Sequence, residues 1–145
     1  GDRACNGDFA CGYNDGDVGD RACNGEAACF KNTGNVGYRA CHGEEACYQN
    51  KKTVGDRACN GYDACYYNDG TIGEGSCDGT YACFDNIGDI GEGSCLGERA
   101  CCGNEKAVAA GTCTTPFSCC NAEYGNNFCN CTTASAPVDI GILFG

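Results

Sequence analysis

Residues Gly19 to Val36 read GDRACNGEAACFKNTGNV, and the chain writes nearly the same eighteen letters on either side of them. The other copies are GDRACNGDFACGYNDGDV from Gly1, GYRACHGEEACYQNKKTV from Gly37, GDRACNGYDACYYNDGTI from Gly55, GEGSCDGTYACFDNIGDI from Gly73 and GEGSCLGERACCGNEKAV from Gly91. A degenerate seventh copy, Ala109 to Asn126, keeps Gly111, Cys113, Cys119 and Cys120 in register, and Cys131 falls eighteen residues after Cys113. The chain therefore divides into six regular coils over 1–108, a degenerate coil and Cys-rich cap region over 109–131, and an apolar tail over 132–145.

A fixed period settles the architecture before any single residue does. Eighteen residues are too few for a helical hairpin and suit one turn of a solenoid, each segment pairing with its equivalent in the next turn. The repeat thus predicts an all-β fold, a disulfide-laddered parallel β-solenoid (β-helix) of about seven coils. Glycine at the first and seventh positions is expected to let the backbone turn corners that other residues resist. Segments such as VGDRAC and NGEAAC resemble the hexapeptide of left-handed β-helices, whereas FKNTGN fits that pattern poorly, so handedness stays open.

Stacking turns each repeat position into a column. The aliphatic column, Val18, Val36, Val54, Ile72, Ile90 and Val108, carries β-branched residues suited to strands and to a narrow core. Asn14, Asn32, Asn50, Asn68, Asn86 and Asn104 form an unvarying column, read as an inward amide ladder rather than an array of ligands. Phe30, Tyr48, Tyr66 and Phe84 form an aromatic column between Gly12 and Cys102. Such a column serves as a carbohydrate platform, an ice-binding face or a lateral contact, or simply stacks and stiffens the coil. Arg3, Arg21, Arg39 and Arg57 lie beside Asp2, Asp20 and Asp56, and each Arg is expected to pair with a carboxylate of its own or a neighbouring coil.

The eighteen cysteines include seven pairs six residues apart: Cys5 and Cys11, Cys23 and Cys29, Cys41 and Cys47, Cys59 and Cys65, Cys77 and Cys83, Cys95 and Cys101, Cys113 and Cys119. Two connectivities are open. Within-coil pairing is favoured because it serves every coil equally, and pairing between equivalent residues of adjacent coils competes with it. Cys102 and Cys120, eighteen apart and outside that column, are expected to bridge neighbouring coils, which leaves Cys129 and Cys131 over. The six-residue pairs resemble the rungs of beetle antifreeze solenoids, and the C-x-G-x-x-A-C string resembles midge antifreeze repeats. A thin coil buries too little apolar area to offset the entropy of ordering its backbone, so the cysteines stand in for a core.

Composition places the protein outside reducing compartments. An even, high cysteine count reads as a disulfide scaffold of an extracellular or cell-surface protein, and even spacing argues against a thiolate metal store. A net charge of -11 argues against nucleic acid and anionic membranes as partners, and no apolar run is long enough for a membrane-spanning helix. No cofactor and no metal is expected: the acidic turn residues Asp15, Asp17, Asp69 and Asp89 match no calcium-loop series. His42, the one histidine, replaces the Asn of Asn6, Asn24 and Asn60, and nothing converges on a catalytic pocket, so no enzyme is expected.

The ends carry the functional expectation. The first copy begins in repeat register at Gly1, so a removed leader or a larger parent chain is expected, and its outer face reads as uncapped. The tail APVDIGILFG holds the densest apolar run, including Ile140, Ile142, Leu143 and Phe144. Such a tail either folds back as the missing cap or lies on the bare end or a strand edge of the next molecule; in the second case an open head and an apolar tail make a heterologous contact, and its repetition builds a head-to-tail homopolymer, a filament or surface layer. The alternative is a monomeric ice-binding or polysaccharide-binding solenoid using the aromatic column. Asn130, Cys131 and Thr132 form an N-glycosylation sequon, so a glycan on Asn130 is a candidate modification. The string G-x-x-[AS]-C-x-G-x-x-A-C-x-x-N also resembles Cys- and Gly-rich repeats of uncharacterised secreted proteins of microalgae and aquatic microbes, which implies location more than activity.

Overall fold

The computed structural model describes residues 1–121 and Cys129; Asn130, Cys131 and the tail residues Ile140, Ile142, Leu143 and Phe144 lie outside the described residues. Each eighteen-residue copy forms one coil, and successive coils stack in register. We count positions from the leading glycine, so the third coil runs from Gly37 at position 1 to Val54 at position 18.

That coil illustrates how the backbone groups are satisfied. Three bonds stay inside it and tighten it into successive turns: Ala46 N–H to Gly43 C=O, Tyr48 N–H to Glu45 C=O and Asn50 N–H to Cys47 C=O. Five N–H groups, those of Arg39, Glu45, Cys47, Gln49 and Val54, donate back to the preceding coil. Two more, from Cys41 and Lys51, donate forward to the following coil, and Gly37 N–H closes the coil on Val54 C=O one turn ahead. Pairing between coils is therefore extensive, as full satisfaction of buried backbone requires.

This stack is nevertheless not an all-β solenoid. Among the described residues there is no sheet, and strand-like pairing is confined to isolated parallel bridges linking Val18, Val36, Val54, Ile72, Ile90 and Val108 in turn. The reason lies in the dihedrals. Positions 3, 5, 9 and 13 of every regular coil are left-handed, as at Arg39 (φ 55°), Cys41 (φ 58°), Glu45 (φ 50°) and Gln49 (φ 51°). A strand needs consecutive extended residues, and a left-handed residue every two to eight positions breaks the run. Each such non-glycine residue costs about 1 kcal/mol, so the conformation persists only because stacking and covalent cross-links over-determine it.

The leading glycines also play a different part from the one the repeat suggests. Positions 1 and 7 are not left-handed; they are places of close approach. A methyl group on Gly43 would overlap the Gly61 carbonyl in the next coil, and one on Gly73 would lie 2.6 Å from the Glu92 nitrogen. Glycine stands where a further coil lies directly above, while arginine and cysteine adopt the left-handed turns.

Inside the coil the core is thin. It consists of alanine at positions 4 and 10, cysteine at 5 and 11, and the aliphatic column at 18. In the fifth and sixth coils serine replaces alanine at position 4, and both hydroxyls are satisfied: Ser76 Oγ donates to Gly91 C=O at 2.7 Å and accepts from Ser94 N–H at 3.1 Å.

Candidate functional site

Of the two disulfide connectivities, the structure has the within-coil one. Cys5–Cys11, Cys23–Cys29, Cys41–Cys47, Cys59–Cys65, Cys77–Cys83, Cys95–Cys101 and Cys113–Cys119 form one rung per coil, with Cα atoms 5.5–5.6 Å apart. Each joins a left-handed residue at position 5 to position 11 across the coil. Clusters such as Cys23, Cys29 and Cys41 bring sulfurs together, but all belong to disulfides and offer no thiolate. The expected Cys102–Cys120 bridge is absent; Cys102 pairs with Cys129, and Cys120 is itself disulfide-bonded. Cys102 and Cys129 are both buried against Phe84, so this bridge closes the end of the aromatic column. Sequence spacing of eighteen favoured the wrong partner because position 12 faces outward, where a returning segment reaches it.

The asparagine column is an amide ladder. Asn32 Nδ2 donates to Asn14 Oδ1, Asn50 to Asn32, Asn68 to Asn50, Asn86 to Asn68 and Asn104 to Asn86, at 2.7–2.9 Å. Every second amide hydrogen turns to the carbonyl two residues ahead in the same coil, as Asn32 does to Gly34. The four central side chains are fully buried, so each amide is spent on structure. Acidic and amide side chains at positions 2, 6 and 17 do similar work, accepting the N–H of the same position one coil earlier. Examples are Asp56 Oδ1 from Tyr38 N–H (2.8 Å), Asn60 Oδ1 from His42 N–H (3.3 Å) and Asp89 Oδ1 from Thr71 N–H (2.9 Å). Part of the acidity that invites a calcium reading is thus backbone capping.

The arginine column only partly forms the expected pairs. Arg57 bridges to Glu74 of the next coil at 2.9 Å, while Arg39 and Arg57 lie over the Tyr38 ring, 5.1 and 5.9 Å from its centroid. His42 Nε2 contacts the Arg21 carbonyl of the preceding coil, a local contact at an exposed variant position.

The aromatic column is a stack. Phe30, Tyr48, Tyr66 and Phe84 lie nearly parallel, with centroid separations of 5.5, 4.8 and 5.1 Å and interplanar angles of 16°, 5° and 8°. At its head the Phe30 ring rests on Gly12, where a side chain would meet it at 2.8 Å. Because the rings use their faces on one another, they present edges outward.

Beside the stack lies a groove of about 460 Å³, lined by Glu45, Tyr62, Asp63, Tyr66, Tyr67 and Tyr81 among others. Asp63 stands at position 9, only 7% exposed, and its Oδ1 has no hydrogen-bond partner. Burial, with Glu45 and Glu44 nearby, pushes its carboxyl up to about 7. Glu45 is raised as well, by burial and by Glu44 and Glu26. Nothing in the repeat marks this feature, because position 9 varies freely, from Phe9 and Ala27 through Glu45, Asp63 and Tyr81 to Arg99 and Phe117.

The two ends of the stack differ. On the first coil, the N–H groups of Arg3, Phe9, Cys11, Tyr13 and Val18, the five that inner coils donate backward, find no acceptor among the described residues. On the last coil, Ala109 and Thr115 occupy positions 1 and 7, where all six coils that carry a coil above them have glycine.

A disulfide-laddered stack of tandem coils, with one rung and one amide step per repeat, is the class these features define. The chain belongs to the family described as domain of unknown function (DUF7640), whose model matches residues 3–116. No curated protein matches the chain, and no solved structure does.

Proposed function

We propose that the protein is an extracellular, non-enzymatic structural rod that joins head to tail into a filament or surface layer. The observation that carries this reading is the row of five backbone N–H groups on the first coil, set in the register that every inner coil uses to grip its predecessor. Such a row of donors is a template on which a further backbone segment can pair. Ala109 and Thr115 shape the joint. A further coil at the internal spacing would collide with the side chains at those two positions, so the segment that accepts from the first-coil N–H groups is an extended one rather than another coil face. The apolar residues Ile140 to Phe144 supply it from the neighbouring molecule. Disulfide density supports an oxidising location, and the net charge of -11 keeps free rods apart until that contact forms.

The test is electron microscopy of the unreduced protein over a dilution series, with and without residues 132–145. Filaments with a subunit rise of about 35 Å, seven coils at the usual strand-like spacing, are expected for the full chain and none for the truncated one. Separate short rods at every concentration, or filaments indifferent to the truncation, would overturn the reading. Thermal hysteresis from a soluble monomer, lost on replacing Tyr48 and Tyr66, would establish the aromatic column as an ice-binding face instead.

A further inference from the structure

A carboxylate oxygen shielded from water that accepts no hydrogen bond needs a partner. Asp63 is such a group: its Oδ1 is buried and unpartnered, and the side chain lines the tyrosine-walled groove. The chemistry of the walls narrows the candidates. A divalent metal asks for several oxygen ligands around one point, and among the described residues no three carboxylates bring their oxygens within 4.8 Å of one another. The rings of Tyr62, Tyr67 and Tyr81, which stand outside the parallel stack and beside a carboxylate, instead favour a compact organic cation, held by ring quadrupoles and by one charge-assisted hydrogen bond. Rings elsewhere in this molecule already hold cations in that manner: Lys31 Nζ lies 5.5 Å from the Phe30 centroid and Arg39 lies 5.1 Å from that of Tyr38.

We infer that this groove is a binding site for a primary alkylammonium group, its head donating to the Asp63 carboxylate and its chain lying along Tyr62, Tyr66 and Tyr67. Glu45 adds a second negative charge from the coil before. An alkyl stem suits the apolar ring edges, and a groove open to solvent accepts either a free amine or the side chain of a lysine.

The charged and titratable groups around the site set its pH response. Glu44 and Glu45 face it from the third coil, Tyr62, Tyr66 and Tyr67 from the fourth, and Tyr81 and Asp85 from the fifth. Arg99 of the sixth coil lies over Tyr81 and is occupied by Glu98 at 2.6 Å. With its carboxyl pushed up to about 7, Asp63 is largely neutral in mild acid and charged in mild base. Ammonium binding is therefore strong at the alkaline side of neutrality and weak in acid.

The experiment is an NMR titration of the oxidised full chain with n-butylammonium chloride, following the ring protons of Tyr66 and Tyr67, with sodium chloride at matched ionic strength as control. Saturable shifts at mildly alkaline pH are expected with butylammonium and none with sodium. Asp63→Asn weakens binding at least tenfold, while Asp8→Asn, on an exposed residue of the first coil, leaves it unchanged. A parallel titration with N-acetyl-lysine methylamide separates the sources: equal shifts assign the site to lysine side chains as well as free amines, and shifts with butylammonium alone assign it to free amines. Rings unmoved by both ammonium probes, or equal affinity in Asp63→Asn, would overturn the site.

Discussion

Replacing Asn68 with alanine removes the middle step of the amide ladder, and its cost follows from four hydrogen bonds. Asn68 Nδ2 donates to Asn50 Oδ1 at 2.7 Å and to the Gly70 carbonyl, while its Oδ1 accepts from Asn86 Nδ2 at 2.8 Å and from Gly70 N–H at 3.2 Å. At roughly 1 kcal/mol net for each bond, with 1–3 kcal/mol for a buried polar atom left alone, the expected loss is about 3–5 kcal/mol. Asn50 Oδ1 is the atom most exposed to that penalty, since its ladder donor is gone. Asn14→Ala sets the comparison: a half-buried amide with one bond to the Gly16 carbonyl and one from Asn32, expected to cost about 1–2 kcal/mol. The assay is equilibrium urea unfolding of the oxidised chain by far-ultraviolet circular dichroism, with hydrogen exchange to locate the loosened coils. Equal losses at the two sites would refute the ladder as a cooperative element. Asn68→Asp provides a second check. It sets a carboxylate oxygen against Asn50 Oδ1 at neutral pH, and acidification, by restoring a donor, is expected to recover part of the loss.

Two glycines should respond in opposite ways. Gly43→Ala collides with the next coil and is expected to cost roughly 3 kcal/mol or more, whereas Gly75→Arg, at φ +62° with open space around it and arginine at that position in earlier coils, should stay within about 1 kcal/mol in the same melts. Removing Cys59–Cys65 as a double alanine variant opens a six-residue separation and is expected to cost about 2 kcal/mol, while removing Cys102–Cys129, with a separation of 27, costs about 3.5 kcal/mol; the reverse order in thermal melts would contradict the loop-entropy account. For Asp63 the folded carboxyl is raised, so the fold holds a proton that the unfolded chain releases between about pH 4 and 7. Stability should fall as pH rises through that window, and Asp63→Asn should remove the slope and add roughly 1–3 kcal/mol at pH 8 in urea midpoints measured against pH.

Periodicity made the stacking legible, because identical letters every eighteen residues leave no other way to bury a column of Val, Ala and Asn. It also exposed the rung cysteines and the amide ladder, whose invariance follows from each copy bonding its own image. The local conformation was not legible. Arg39, Cys41, Glu45 and Gln49 are residue types that ordinarily avoid left-handed backbone, and no local preference announces that the coil is built from such turns rather than strands. The partner of Cys102 was hidden for a related reason: a returning segment is fixed by tertiary geometry, not by register. The acidic groove escaped because repeat comparison rewards what stays constant, while Asp63 draws its environment from side chains that differ between coils.

The amide ladder has a direction. Every Nδ2 of the ladder asparagines points toward the first coil and every Oδ1 toward the last. Peptide-like groups carry dipoles of about 3.5 D each, and aligned in series they add as they do along a helix. The ladder is therefore an electric vector, positive toward the first coil and negative beyond Asn104. Rods in an applied field should align along that axis, and parallel neighbours in a layer should repel where antiparallel ones attract.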